Sequence, residues 1–234
     1  MLWKTLCALP ECKLATPPND YGQLLLFRTA VDKTAWLIAP YNQLVKFATD
    51  LRHNEHLRNF LAENQIRIGL RATDVPPTDT TRQKDYGATI VGENHDKDFT
   101  SARVNPLAQP MNTEDIAPVN RKMDREENVK TFWETQTPQS HHVVEFNNLE
   151  TLGVSSKTGS TAMDYLQLPA VLLAAEFHQR YISAILKPTH QMDKPTLSKK
   201  IVSAYRQLYT SRSKLFEPLW IVSQVILQEA GLTI

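Results

Sequence analysis

The chain has 234 residues, 41% of them hydrophobic, with a net charge of +1, which is enough apolar material for one or two ordinary cores and excludes a wholly disordered protein. No run approaches the roughly 18 to 20 apolar residues of a membrane span, and "MLWKTLCALPECKLATPP" has too short an apolar core for a signal peptide, so a cytoplasmic protein is expected. Two cysteines, Cys7 and Cys12, lack a second pair or a nearby histidine, which argues against a disulfide framework and a zinc module.

Residues 1–19 read as a proline-containing N-terminal tail that ends at "TPPND". A small α/β unit is expected over 20–72. "YGQLLLFRTAV" is short, apolar and bounded by turn-formers, as a strand is. Asp32 or Thr34 can then cap a helix carrying Leu37, Leu44, Phe47, Ala48, Leu51, Leu57 and Leu61, with Pro40 in its first turn or at a kink. "QIRIGLRA" alternates Ile66, Ile68 and Leu70 with Arg67, Gly69 and Arg71, which predicts a half-buried strand with a basic outer edge.

From 73 to 142 the sequence turns to Thr, Asn, Asp, Pro and Gln without a sustained period, the signature of a polar linker or insert. Only "DREENVKTFWE" suggests a short helix there. This part carries eight Lys/Arg against twelve Asp/Glu, a balance of −4. Residues 1–72 stand at +3 and 143–234 at +2.

The C-terminal region, 143–234, has the clearest patterning. "HVVEFNNLETLGVSS" predicts one or two short strands, and "MDYLQL" another, with Met163, Tyr165 and Gln167 on one side and Asp164, Leu166 and Leu168 on the other. Pro169 suits the first position of a helix whose stripe is Val171, Leu172, Ala175, Tyr181, Ile182, Ile185 and Leu186. A second helix should open near Thr196 or Ser198 with a seam of Leu197, Ile201, Tyr205, Leu208 and Leu215. Pro218 then starts a buried helix, "PLWIVSQVILQEAG", with Gly231 as C-cap. Between Lys194 and Lys214 lie six basic residues and no acidic one, the footprint of a phosphate-binding surface or of a solvated helix face.

A lone strand followed by two helices needs a partner strand, which a second copy can supply across a two-fold axis. In that order the stretch resembles the ribbon-helix-helix fold. The mapping makes Tyr165 and Gln167 base-facing, with Thr161 and Met163 beside them and Lys157 flanking the ribbon. Thr196, Ser198, Lys199 and Lys200 become the phosphate clamp at the second helix N-terminus, and Leu166, Leu168, Leu172, Ile201 and Tyr205 the dimer core. The ribbon holds no Arg or Lys, and "KPTHQMDKPT" is a long connection without the usual glycine. A rival ribbon, "QIRIGLRA", offers Arg67 and Arg71 for guanine, but "TDVPPTDTT" after it cannot be a first helix.

More widely, "LPAVLLAAEFHQRYISAIL" and "LFEPLWIVSQVIL" resemble the AcaB-type transcriptional activators of conjugative plasmids and integrative elements, across about the last 90 residues. The resemblance implies an α+β protein built as a ribbon-helix-helix homodimer. It would bind double-stranded promoter DNA and activate transfer genes, with RNA polymerase or another activator as a further partner and no membrane association or cofactor. The competing class is a non-enzymatic assembly factor of such an element.

No catalytic constellation assembles. His53 and His56 lie one turn apart without a third ligand, His141 and His142 near Glu145 match no zinc-hydrolase spacing, and "HDKD" at His95 to Asp98 lies in the polar stretch. "GVSSKTG" lacks the spacing of a phosphate loop, and His178 reads as a core-edge residue. Neither an enzyme nor a metal site is expected.

Overall fold

The computed structural model describes residues 1–28, 35–51, 53–64, 66–67, 138–158, 163–174, 178, 182–210 and 216–234. The elements run α1 (Leu2–Cys7), β1 (Cys12–Ala15), β2 (Leu24–Arg28), β3 (Ala35–Pro40), α2 (Tyr41–Leu51), α3 (Glu55–Glu63) and β4 (Ile66–Arg67). Next come β5 (Pro138–His142), α4 (Phe146–Leu152), β6 (Ser155–Ser156), β7 (Met163–Asp164), a 3-10 turn at Tyr165–Gln167 and β8 (Pro169–Ala174). A short α5 (Ser183–Leu186) leads through a second 3-10 turn, Lys187–Gln191, to α6 (Lys194–Thr210) and α7 (Glu217–Glu229).

The fold is mixed α+β. Five strands pair antiparallel in the order β1-β2-β3-β8-β5, and β4 lies parallel beside the first residues of β3. Leu24 to Phe27 of β2 and Ala35 to Ala39 of β3 are all buried, which requires cover on both faces of the sheet. The register assigns the cover. Ile38, Val171 and His141 stand opposite one another across β3, β8 and β5 and therefore share a face, as does Trp36 two residues before Ile38. Phe216, just before α7, packs its ring 5.6 Å from Trp36, so the C-terminal helices cover that face. Ala39, Ala170 and His142 share the other face, where Tyr41 of α2 stacks on His142 at 4.2 Å.

Several elements follow the sequence reading. The strand at 24–28, the helix at 194–210 with Leu197, Ile201, Tyr205 and Leu208 buried, and the apolar α7 are all present. Pro218 lies in the first turn of α7, and Gly231 beyond its C-cap takes φ 83°, where a side chain would be strained. No described helix is long and apolar enough to cross a membrane.

Other expectations are corrected. Residues 2–7 and 12–15 form α1 and β1, with Leu6 fully buried, so the first nineteen residues are not a loose tail. Leu37 belongs to β3, and Pro40 ends that strand instead of sitting inside a helix. The last five residues assigned to the polar insert are edge strand β5. "FNNLETL" is helical, ended by Gly153 at φ 78°. The largest correction is at Pro169, where β8 replaces the expected first helix and lies between β3 and β5. The "DREENVKTFWE" segment, Asp32, Thr34, His95 to Asp98, Thr161, Ala175, Tyr181 and Leu215 lie outside the described residues.

Candidate functional site

The expected ribbon residues do not form a ribbon. Met163 and Asp164 make a two-residue parallel pairing with Ser155 and Ser156 of the same chain, and the backbone then tightens into the Tyr165–Gln167 turn. Asp164 caps that turn, its carboxylate accepting the Leu166 N–H at 2.9 Å. Met163 is buried, and the Tyr165 ring packs among Tyr41, His142 and Phe146 at 5.1, 5.0 and 4.8 Å, so neither presents itself to a base edge. Burial, followed by a hydrogen bond with Tyr41, pushes the Tyr165 phenol up to about 12. Gln167 is exposed, and its backbone carbonyl accepts a hydrogen bond from Trp3 Nε1 at 2.9 Å. Of the expected dimer core, Leu168, Leu172, Ile201 and Tyr205 are buried within their own chain, whereas Leu166 is 47% exposed. Of the rival ribbon, only Ile66 and Arg67 are described, and they pair with β3; Arg71 lies outside the described residues.

The phosphate clamp also changes character. Asp193 precedes α6 and accepts the Thr196 N–H at 3.0 Å, which holds its own carboxyl below the usual range and places a negative charge where a phosphate was expected. Ser198 Oγ donates to the Lys194 carbonyl at 2.8 Å. Lys199 and Lys200 do face solvent, together with Lys194 and Arg206, and Arg206 is laid over the Trp220 ring at 5.4 Å. Lys194 extends its ammonium over Gly153, four residues before Lys157. Lys157 in turn lies over the Phe146 ring at 5.6 Å, and Phe146 abuts Tyr165. Lys194, Lys199, Lys200 and Arg206 are thus exposed on α6, and Lys194 and Lys157 flank the segment from Gly153 to Lys157.

A second cluster, which sequence spacing does not announce, gathers on the face of β5 turned toward the C-terminal helices. His141 is 4% exposed, its ring 4.5 Å from that of His178, and its Nε2 has no hydrogen-bond partner among the described residues. Burial holds His141 well below its ordinary pKa, helped by the neighbouring His178 and His142. Glu145 sits between histidines, with Oε1 3.9 Å from His178 Nε2 and Oε2 in close contact with His190 Nε2. Its backbone N–H donates to the Tyr205 hydroxyl at 2.7 Å. That hydroxyl also accepts from Asn148 Nδ2 at 3.1 Å, and Asn148 Oδ1 accepts from Thr189, the residue before His190.

His141, Glu145 and His178 can each offer one ligand atom such that all lie within 4.8 Å of one another. The sequence signal for this cluster was modest: four of the seven histidines fall between 141 and 190, and strand alternation sends His141 and His142 to opposite faces. By contrast, His53 and His56 are exposed and belong to no such group of ligands among the described residues. No family model matches this chain, and neither a curated protein nor a solved structure matches it.

Proposed function

We propose that the chain is a transcriptional regulator that binds duplex DNA as a homodimer, with the exposed side of α6 as its principal phosphate-facing surface. The observation that carries this reading is that Lys194, Lys199, Lys200 and Arg206 all reach solvent from one helix in a stretch, Lys194 to Lys214, without an acidic residue. Cations so arranged displace counterions from a phosphate backbone and make affinity depend steeply on salt. Asp164 and Asp193 act as turn and helix caps. Lys157 extends the surface, and Gln167, exposed on its turn, has the side chain that pairs bidentately with adenine. The resemblance of the C-terminal third to AcaB-type activators adds promoter DNA and transfer genes as the expected target.

The DNA contact is therefore assigned to a helix face and a turn, not to a paired ribbon. The test is selection of bound duplexes from a randomised library, followed by anisotropy titration of the selected sequence at several salt concentrations. A two-fold symmetric site is expected. If the dimer meets six to eight phosphates, log K should fall with log salt at a slope of about −5 to −7. Lys199→Ala should weaken binding to all sequences and lower the slope by about 1 per subunit, whereas Gln167→Ala should relax preference at one base pair per half-site. Failure to enrich any sequence, with no salt-sensitive binding, would replace this reading with a protein assembly factor.

A further inference from the structure

The cluster around Glu145 contains an unresolved problem of hydrogen bonding. His141 Nε2 is buried and unpartnered among the described residues, whereas buried polar atoms are ordinarily hydrogen-bonded. Ion pairing of Glu145 with His178 and His190 accounts for the carboxylate but leaves that nitrogen unsatisfied. A cation between His141, Glu145 and His178 satisfies all three at once.

We propose that His141, Glu145 and His178 bind one divalent transition-metal ion of the zinc class, while His190 holds the second oxygen of Glu145 from behind. Two imidazole nitrogens and one carboxylate suit a borderline metal; magnesium and calcium select oxygen-rich shells. Ligand atoms around a tetrahedral zinc ion stand about 3.4 Å apart, so the three groups need to draw in by little more than about 1 Å from their 4.8 Å limit. The outer groups are already in place. Tyr205 fixes the Glu145 backbone, Asn148 holds Tyr205, and Thr189 ties Asn148 to the turn bearing His190. Ligands at metal centres are oriented by hydrogen bonds of this kind.

Three protein ligands leave one coordination position. His178 and His190 are 27% and 30% exposed, so solvent reaches this side of the cluster and can supply a water there. The ion would join edge strand β5 to the segment following β8 and steady the approach to α6.

The test uses the full chain stripped with a chelator and titrated with zinc by calorimetry and with cobalt by visible absorption. One ion per chain is expected, with cobalt bands characteristic of four or five nitrogen and oxygen ligands. His178→Ala, at a partly exposed position that spares the core, should weaken binding at least 100-fold, and His190→Ala about 10- to 100-fold. His53→Ala should leave binding unchanged. Absence of stoichiometric binding by the folded wild-type chain, or equal affinity in His178→Ala, would overturn the assignment.

Discussion

Single side chains in this protein hold together segments far apart in sequence. Tyr205 is fully buried, and its hydroxyl receives both the Glu145 N–H and the Asn148 amide. Tyr205→Phe keeps the ring and strands two donors, so a loss of about 1 to 3 kcal/mol is expected in denaturant titration. A loss under about 0.5 kcal/mol would show that other groups take over. His142 responds to pH. Burial lowers its pKa from 6.5 to about 4, against the opposing hydrogen bond to Tyr165 and the charge of Glu145. Below about pH 6.5 the unfolded chain takes up a proton that folded His142 refuses. Its contribution is therefore full above that pH and falls as the solution is acidified toward 4, reaching on the order of 2 to 3 kcal/mol of lost stability at pH 4.5. Comparing unfolding midpoints at pH 7.5 and 4.5 checks this, and equal midpoints would contradict it.

At the scale of elements, α6 was legible because it keeps one wet face, while β2 and α7 were marked by turn-formers and by prolines and glycines at their ends. α6 alternates buried Leu197, Ile201, Tyr205 and Leu208 with exposed lysines, so its helical period survives in the sequence. The two strands read as helix, "AWLIAP" and "PAVLLA", lie in the middle of the sheet with both faces covered. A short apolar run covered on both faces carries neither period, and Ala and Leu then favour the wrong assignment. Pro40 and Pro169 stand opposite each other where β3 and β8 meet, at strand ends where a proline can be accommodated. The histidine cluster was hidden for a related reason: its members meet only through pairings that no local spacing encodes. Asp193 supplies a test at this scale. Asp193→Ala removes the α6 cap and should lower the unfolding midpoint. The same substitution should strengthen rather than weaken DNA binding, because it removes a carboxylate from the basic side.

For the whole molecule, the two parts of the sheet are joined by pairing β3 with β8, elements from the first and second halves of the chain. α1 adds a second long-range tie by packing against α7, with Leu6 fully buried. Leu6→Ala should therefore cost about 2 to 5 kcal/mol, as core truncations do, although it lies only five residues after Met1. A measurement showing no change would mean that the helix does not dock.

The β3–β8 pairing also sets a timetable for synthesis. The edge of β3 at Ile38 to Pro40 receives its partner only after Pro169 to Val171 have been made. At ordinary translation rates of about 5 to 20 residues per second, that wait is on the order of ten seconds. Throughout it, a nascent chain carries an apolar strand with an open edge, the kind of surface that chaperones capture and that crowded neighbouring chains can pair with instead.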